Sequence, residues 1–158
     1  MLATAAWAES AAGISWTAPG GWKSESRPMR VATYTSPASG GDGEGAECAI
    51  FFFGAGQGGG IEANVQRWVG QFEASAAKPG RKQMHVNGMN VTLVTHAGAY
   101  LSGAPMSGQK VKKPGFRLSG AIVEAPEGSV FFKLTGPAAT MNAAEPVFLK
   151  MISNIKKQ

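Results

Sequence analysis

The chain has 158 residues and a net charge of +5, with 44% hydrophobic residues, 16% charged residues, 22 glycines, 9 prolines and one cysteine. That length fits one domain, which would bury about 70% of the surface its unfolded chain exposes. No apolar run approaches the roughly 20 residues of a membrane-spanning helix, and Cys48 alone can form neither an internal disulfide nor a thiolate cluster.

The opening MLATAAWAES ends in the A-x-A-like Ala6-Trp7-Ala8 but lacks a basic n-region. Residues 1–12 therefore read as a flexible N-terminus or the remnant of a signal peptide, and 13–158 as a single domain. On these residues alone an exported and a cytoplasmic location stay equally open. Next come two short strands around a Pro-Gly-Gly turn, Ser15–Ala18 and Met29–Thr35; in the second, Met29, Val31 and Thr33 alternate with Arg30, Ala32 and Tyr34. After the polar loop ASGGDGEGAE, CAIFFF is continuously apolar, as expected of a strand covered on both faces.

Beyond the glycines, Ile61, Val65, Trp68, Val69 and Phe72 form an apolar stripe at helical period, and the helix is expected to stop near Pro79-Gly80. Asn87-Gly88 is the preferred pair for a type I′ hairpin. This register sets Val86 against Met89, His85 against Asn90 and Met84 against Val91, with Met84, Val86, Met89, Val91 and Leu93 facing the core. GAPMSGQKVKKPG reads as a loop, followed by a second hairpin turning at Pro126-Glu127-Gly128. A last helix is expected to open at Asn142, whose spacing to Glu145 fits a capping box, and to bury Val147, Phe148, Met151, Ile152 and Ile155. About seven short strands and two helices, with antiparallel pairing dominant, favour an α+β fold.

Gly54, Gly56 and Gly59 spell G-x-G-x-x-G, the fingerprint of a dinucleotide-binding turn. That site needs a β-α-β unit with parallel strands, whereas this helix leads into a hairpin, and the acidic residue expected about 20 positions on is missing. Arg81 could receive a 2′-phosphate, which leaves a small NADP-dependent enzyme as the competing reading. Glu62 opposes it by placing a carboxylate in the first helical turn, where a phosphate would lie. The run reads better as a loose exit from the strand, and no cofactor is expected.

His85 and His96 are not opposite each other in the hairpin register and suit surface or edge positions better than a metal site. Cys48, beside a strand, reads as a small buried hydrophobe. Asp42, Glu44 and Glu47 share one loop but lack the ligand series of an EF-hand. Asn90 opens an N-V-T sequon within a strand. Trp16, Trp22 and Trp68 could form a stacking platform, but suit core positions better, and no nucleic-acid-binding pattern accompanies the charge. No G-x-S-x-G, H-E-x-x-H, Walker A or C-x-x-C motif occurs, so no enzyme is expected.

Charge is unevenly spread: residues 1–66 carry Lys23, Arg27 and Arg30 against Glu9, Glu25, Asp42, Glu44, Glu47 and Glu62, a net −3, and the remainder carries +8. Lys110, Lys112, Lys113 and Arg117 are concentrated in SGQKVKKPGFR, a candidate patch for an anionic partner or, more plainly, a solvated loop.

SWTAPGGW resembles the P-x-G-W opening strand of Mog1/PsbP-like proteins. CAIFFFGAGQGGGIEANVQRWVGQF and GAIVEAPEGSVFFKLTGPAATM are similar to a family of small, uncharacterised, exported bacterial proteins within that superfamily. The resemblance spans residues 14–156. It implies an α/β/α sandwich, an antiparallel sheet of about six to seven strands with helices on its faces, and it implies export to the periplasm or beyond. It also implies a non-enzymatic binding or assembly module, since members of the superfamily act on partners as different as a GTPase and a photosystem. It transfers no catalytic residues and no partner, and the partner stays an unidentified protein or an anionic partner.

Overall fold

The computed structural model describes residues 8–74, 78–102 and 110–158. Its elements in chain order are β1 (Ala8–Ala11), β2 (Ile14–Thr17), β3 (Lys23–Glu25), β4 (Ala32–Thr35), β5 (Glu47–Phe51), α1 (Ile61–Val69), β6 (Gly80–Val86), β7 (Met89–Ser102), β8 (Val111–Ala125), β9 (Gly128–Pro137), α2 (Ala138–Ser153) and β10 (Lys156–Lys157). Seven strands form one sheet in the order β3-β4-β5-β9-β8-β7-β6, and β1-β2-β10 form a small second sheet. Every ladder is antiparallel. The expected α+β architecture is therefore the one observed, with a helix on each face of the large sheet.

Side-chain alternation along the central strands assigns the faces. On β9, Val130, Phe132 and Leu134 enter the larger core with Met141, Phe148 and Ile152 of α2, while Phe131 enters the other core with Val65 and Trp68 of α1. On β8, Ala121 and Val123 go to the α2 side, and Leu118 and Ile122 to the α1 side. In the middle of β5, Cys48, Ala49 and Ile50 are all buried, so both faces are covered there. The small sheet lies on the α2 side, where Trp16 donates its indole N–H to the Tyr34 hydroxyl at 2.9 Å and meets Phe132 edge-on at 5.3 Å. On the α1 side, a Cβ at Gly120 would stand 2.4 Å from Cζ3 of Trp68, so only glycine lets that indole lie on the sheet.

The Asn87-Gly88 hairpin has the expected register, Val86 with Met89, His85 with Asn90 and Met84 with Val91, and both turn residues take positive φ. The second hairpin turns where expected, Ala125 facing Gly128.

Several sequence expectations are corrected. Helix α1 ends at Val69, not near Pro79, because Gly70 closes it and Phe72 leaves to bridge Tyr100 on β7; residues 75–77 lie outside the described residues. Phe72 is buried as its phase requires, but by that bridge, since a periodic stripe does not say whether the chain is still helical. The two strands around Pro19-Gly20-Gly21 do not pair with each other: β2 joins the small sheet and β4 the large one. Met29 is 85% exposed with φ of 66°, while Ala32, Thr33 and Tyr34 are all buried, so the predicted alternation gives way to burial on both faces. Ala8–Ala11, within the stretch expected to be flexible, pair with β2; residues 1–7 lie outside the described residues. Part of the expected loop 103–115 is strand β8, and 103–109 lie outside the described residues.

Helix α2 begins at Ala138 with Pro137 as N-cap, five residues ahead of the expected cap at Asn142. A tertiary contact starts it: the Thr140 N–H donates to Asp42 Oδ2 at 2.7 Å. Asn142 and Glu145 form no capping box; both receive Arg117, at 2.8 and 3.5 Å. Val147 is 37% exposed, and the buried stripe runs through Met141, Ala144, Phe148, Met151 and Ile152.

Candidate functional site

Helix α1 is only nine residues long and packs over Val94, Leu118, Ile122 and Phe131, which lie on β7 to β9. The same face of β3, β4 and β5 is left without a helix above it. There the alternation delivers polar groups, Glu25, Thr35 and Glu47, and beside them on β9, Thr135. With the exit of α1 and the ends of β7 and β8 they enclose a cleft of about 960 Å³, lined by Arg27, Arg30, Arg67, Lys110 and Lys113 against Glu25, Glu44 and Glu47.

The three carboxylates are already engaged. Arg27 lies 2.8 Å from Glu25 and 3.3 Å from Glu47, Arg30 lies 2.9 Å from Glu47, and Lys113 lies 3.1 Å from Glu44. The Arg27 guanidinium holds the Glu25 carboxyl below its ordinary range. Three further cations have no carboxylate within ion-pair distance among the described residues. Arg67 donates to the neutral Asn64 Oδ1 at 3.2 Å. Lys110 stands exposed at the rim. Lys133, in the middle of β9, donates to Gln71 Oε1 and to the Tyr100 hydroxyl, the latter at 3.1 Å, and both acceptors line the cleft. Burial pulls the Lys133 ammonium down to about 8; the field of Arg30 adds to this and that of Glu47 opposes it.

The structure divides the four predicted patch cations. Lys110 and Lys113 line the cleft, whereas Lys112 pairs with Glu73 at 2.9 Å and Arg117 is spent on α2. Arg27, Arg30, Arg67 and Lys133 were not singled out in the sequence. Lys133 had one signal, a charge within the alternating VFFKLT run of a central strand. The other three lie in unrelated segments that only the sheet order brings together.

The glycine run has its own geometry. The strand before it, β5, neighbours β4 and β9, both antiparallel, and the strand after α1, β6, lies at the far edge of the sheet. No parallel crossover frames Gly54, Gly56 and Gly59. Buried Asn64 donates to the carbonyls of Gly58 and Gly60 at 2.8 and 2.9 Å, tying the run to α1, and Arg81 pairs with Glu62 at 2.5 Å. Asp42 caps α2 and Glu44 and Glu47 hold cations, so the acidic loop is committed to internal partners. Trp16, Trp22 and Trp68 are buried and offer no stacking face. His85 is exposed on an edge strand, while His96 is buried edge-on to Phe72, its Nδ1 without a partner. Cys48 is fully buried, and desolvation pushes its thiol far up, away from thiolate chemistry.

An antiparallel seven-stranded sheet with one helix per face, and a small sheet beside the second, defines a chain with the Mog1/PsbP-like fold. The fold is shared with the solution structure of cyanobacterial PsbP (CyanoP) from Synechocystis sp. PCC 6803, at a TM-score of 0.58 and 10% identity, over 98% of this chain and 92% of that one. No protein-family model matches the sequence, and no curated protein does. Among the described residues, no helix is long and apolar enough to cross a membrane.

Proposed function

We propose that this chain is a non-enzymatic binding or assembly module, working outside the cytoplasm, whose cationic cleft receives an acidic segment of a protein partner. One observation carries the reading: after Arg27, Arg30 and Lys113 are paired with the cleft's own carboxylates, Arg67 and Lys110 of the lining, and Lys133 bonded to the lining residues Gln71 and Tyr100, remain without one among the described residues. A concave surface that keeps spare positive charge attracts negative charge and orients it. The Mog1/PsbP-like fold, carried in its superfamily by binding and assembly factors, supports the module class, and the A-x-A-like Ala6-Trp7-Ala8 supports export.

The test is fluorescence polarisation with a labelled hexaglutamate peptide in low salt, against a hexaserine control. Hexaglutamate should bind, and the affinity should fall several-fold as salt rises and again in Arg67→Glu and Lys110→Glu variants. Equal binding of the two peptides, or indifference to both reversals, would sink the reading. A single-stranded oligonucleotide that outcompetes hexaglutamate would transfer the cleft to nucleic acid.

A further inference from the structure

Lys133 is placed by three elements at once. β9 supplies it on the face opposite Phe132 and Leu134, the chain leaving α1 brings Gln71 over it, and the Phe72–Tyr100 bridge fixes the tyrosine beside it. An ammonium has three donors, and two here go to neutral acceptors. Glu47, whose field reaches Lys133, is bridged to Arg27 and Arg30. A partly desolvated cation with a spare donor and no counterion is costly, unless an anion arrives to complete it. Tyr100 accepts from Lys133 and keeps its own proton to donate, since burial pushes the phenol pKa up.

We infer that Lys133 and the two cleft-lining residues it bonds, Gln71 and Tyr100, form an anion subsite at the edge of the cleft that takes one carboxylate of the bound acidic segment. The inference rests on the cleft reading above and adds the group that fixes the segment's register. The lysine's spare N–H and the tyrosine O–H would meet one carboxylate group, a charge-assisted arrangement stronger than its neutral counterpart. Gln71 and Tyr100 of β7 contact Lys133, and the charges whose fields reach it are those of Arg30, before β4, and Glu47 of β5; Arg67 and Lys113 line the same cleft as Gln71 and Tyr100.

The experiment follows the Lys133 side chain by NMR in selectively labelled protein, titrated with pH alone, with hexaglutamate and with free glutarate. Without a ligand the ammonium should titrate near 8, and saturating hexaglutamate should move the midpoint upward by about one unit or more. Peptide affinity should therefore fall as pH rises above about 8, and be flat over the same range in Lys133→Met once the variant is shown to fold. At pH 7 that variant should bind about tenfold more weakly, and Lys133→Arg should recover part of the loss. If hexaglutamate binds, weakens in Arg67→Glu, and leaves both the Lys133 midpoint and the Lys133→Met affinity unchanged, the subsite is wrong while the cleft reading stands. If glutarate shifts the midpoint and hexaglutamate does not bind, the subsite stands as one for a free carboxylate and the acidic-segment reading falls. If neither ligand shifts it, the subsite is wrong.

Discussion

Asp42 accepts the Thr140 N–H across 98 positions of sequence, while Thr140 Oγ1 bonds the backbone of Ser39 and Glu44, so one loop and one helix end hold each other. Asp42→Ala should cost about 1 kcal/mol, the usual worth of an N-cap, seen as a lower urea midpoint with an unchanged m-value. Lys133 gives a pH prediction of definite sign. Its folded value of about 8 lies below the ordinary 10.5, so between these the unfolded chain holds more of the proton. The penalty is complete below about 8 and is relieved as pH rises toward 10.5. Relative to Lys133→Met, the wild type should gain stability from pH 8 to pH 9.5, on the order of 2 kcal/mol. Chemical denaturation of both at these pH values checks it; a constant gap would mean that Lys133 is not desolvated.

At the scale of elements, α1 is held at both ends by backbone-close packing. Gly120→Ala would drive a methyl into Trp68 and should destabilise by about 1 to 3 kcal/mol, with the indole's fluorescence reporting its displacement. Asn64 is 2% exposed and satisfies two glycine-run carbonyls. Asn64→Ala should therefore cost about 1 to 3 kcal/mol and speed amide exchange in residues 54–60 before the sheet is affected. The same elements show what a sequence can reveal. The hairpin at Asn87-Gly88 was legible to the residue, because a type I′ turn is specified by its own two central residues. The start of α2 was not, because Asn142 and Glu145 carry the local signature of a cap while the working cap comes from another loop. Helix α1 was overextended because Phe72 keeps the helical phase after the helix has ended.

For the whole molecule, the competing dinucleotide reading has a direct consequence. A ligand at about 100 times its dissociation constant adds roughly 2.7 kcal/mol, which should raise the midpoint of a chain this size by a few degrees. Saturating NADP(H) is expected to leave the thermal midpoint unmoved, as Gly54, Gly56 and Gly59 lie outside any parallel β-α-β unit in the described sheet. A shift abolished by Gly56→Val would restore the cofactor reading.

The sequence by itself determined what depends on near neighbours along the chain: the hairpin turns, the doubly buried middle of β5, the helical stripes and the α+β class. Tertiary structure alone decided the order β3-β4-β5-β9-β8-β7-β6, and with it the cleft. Arg27 and Arg30 lie near residue 30, Arg67 and Gln71 follow the glycine run, and Tyr100 and Lys133 belong to two different hairpins. Charge attraction depends on distance in space, and no local pattern encodes which strands become neighbours. Lys110 and Lys113 could thus be picked out as a basic run, whereas the uncompensated Lys133, bonded to Gln71 and Tyr100, becomes visible only when the sheet is assembled.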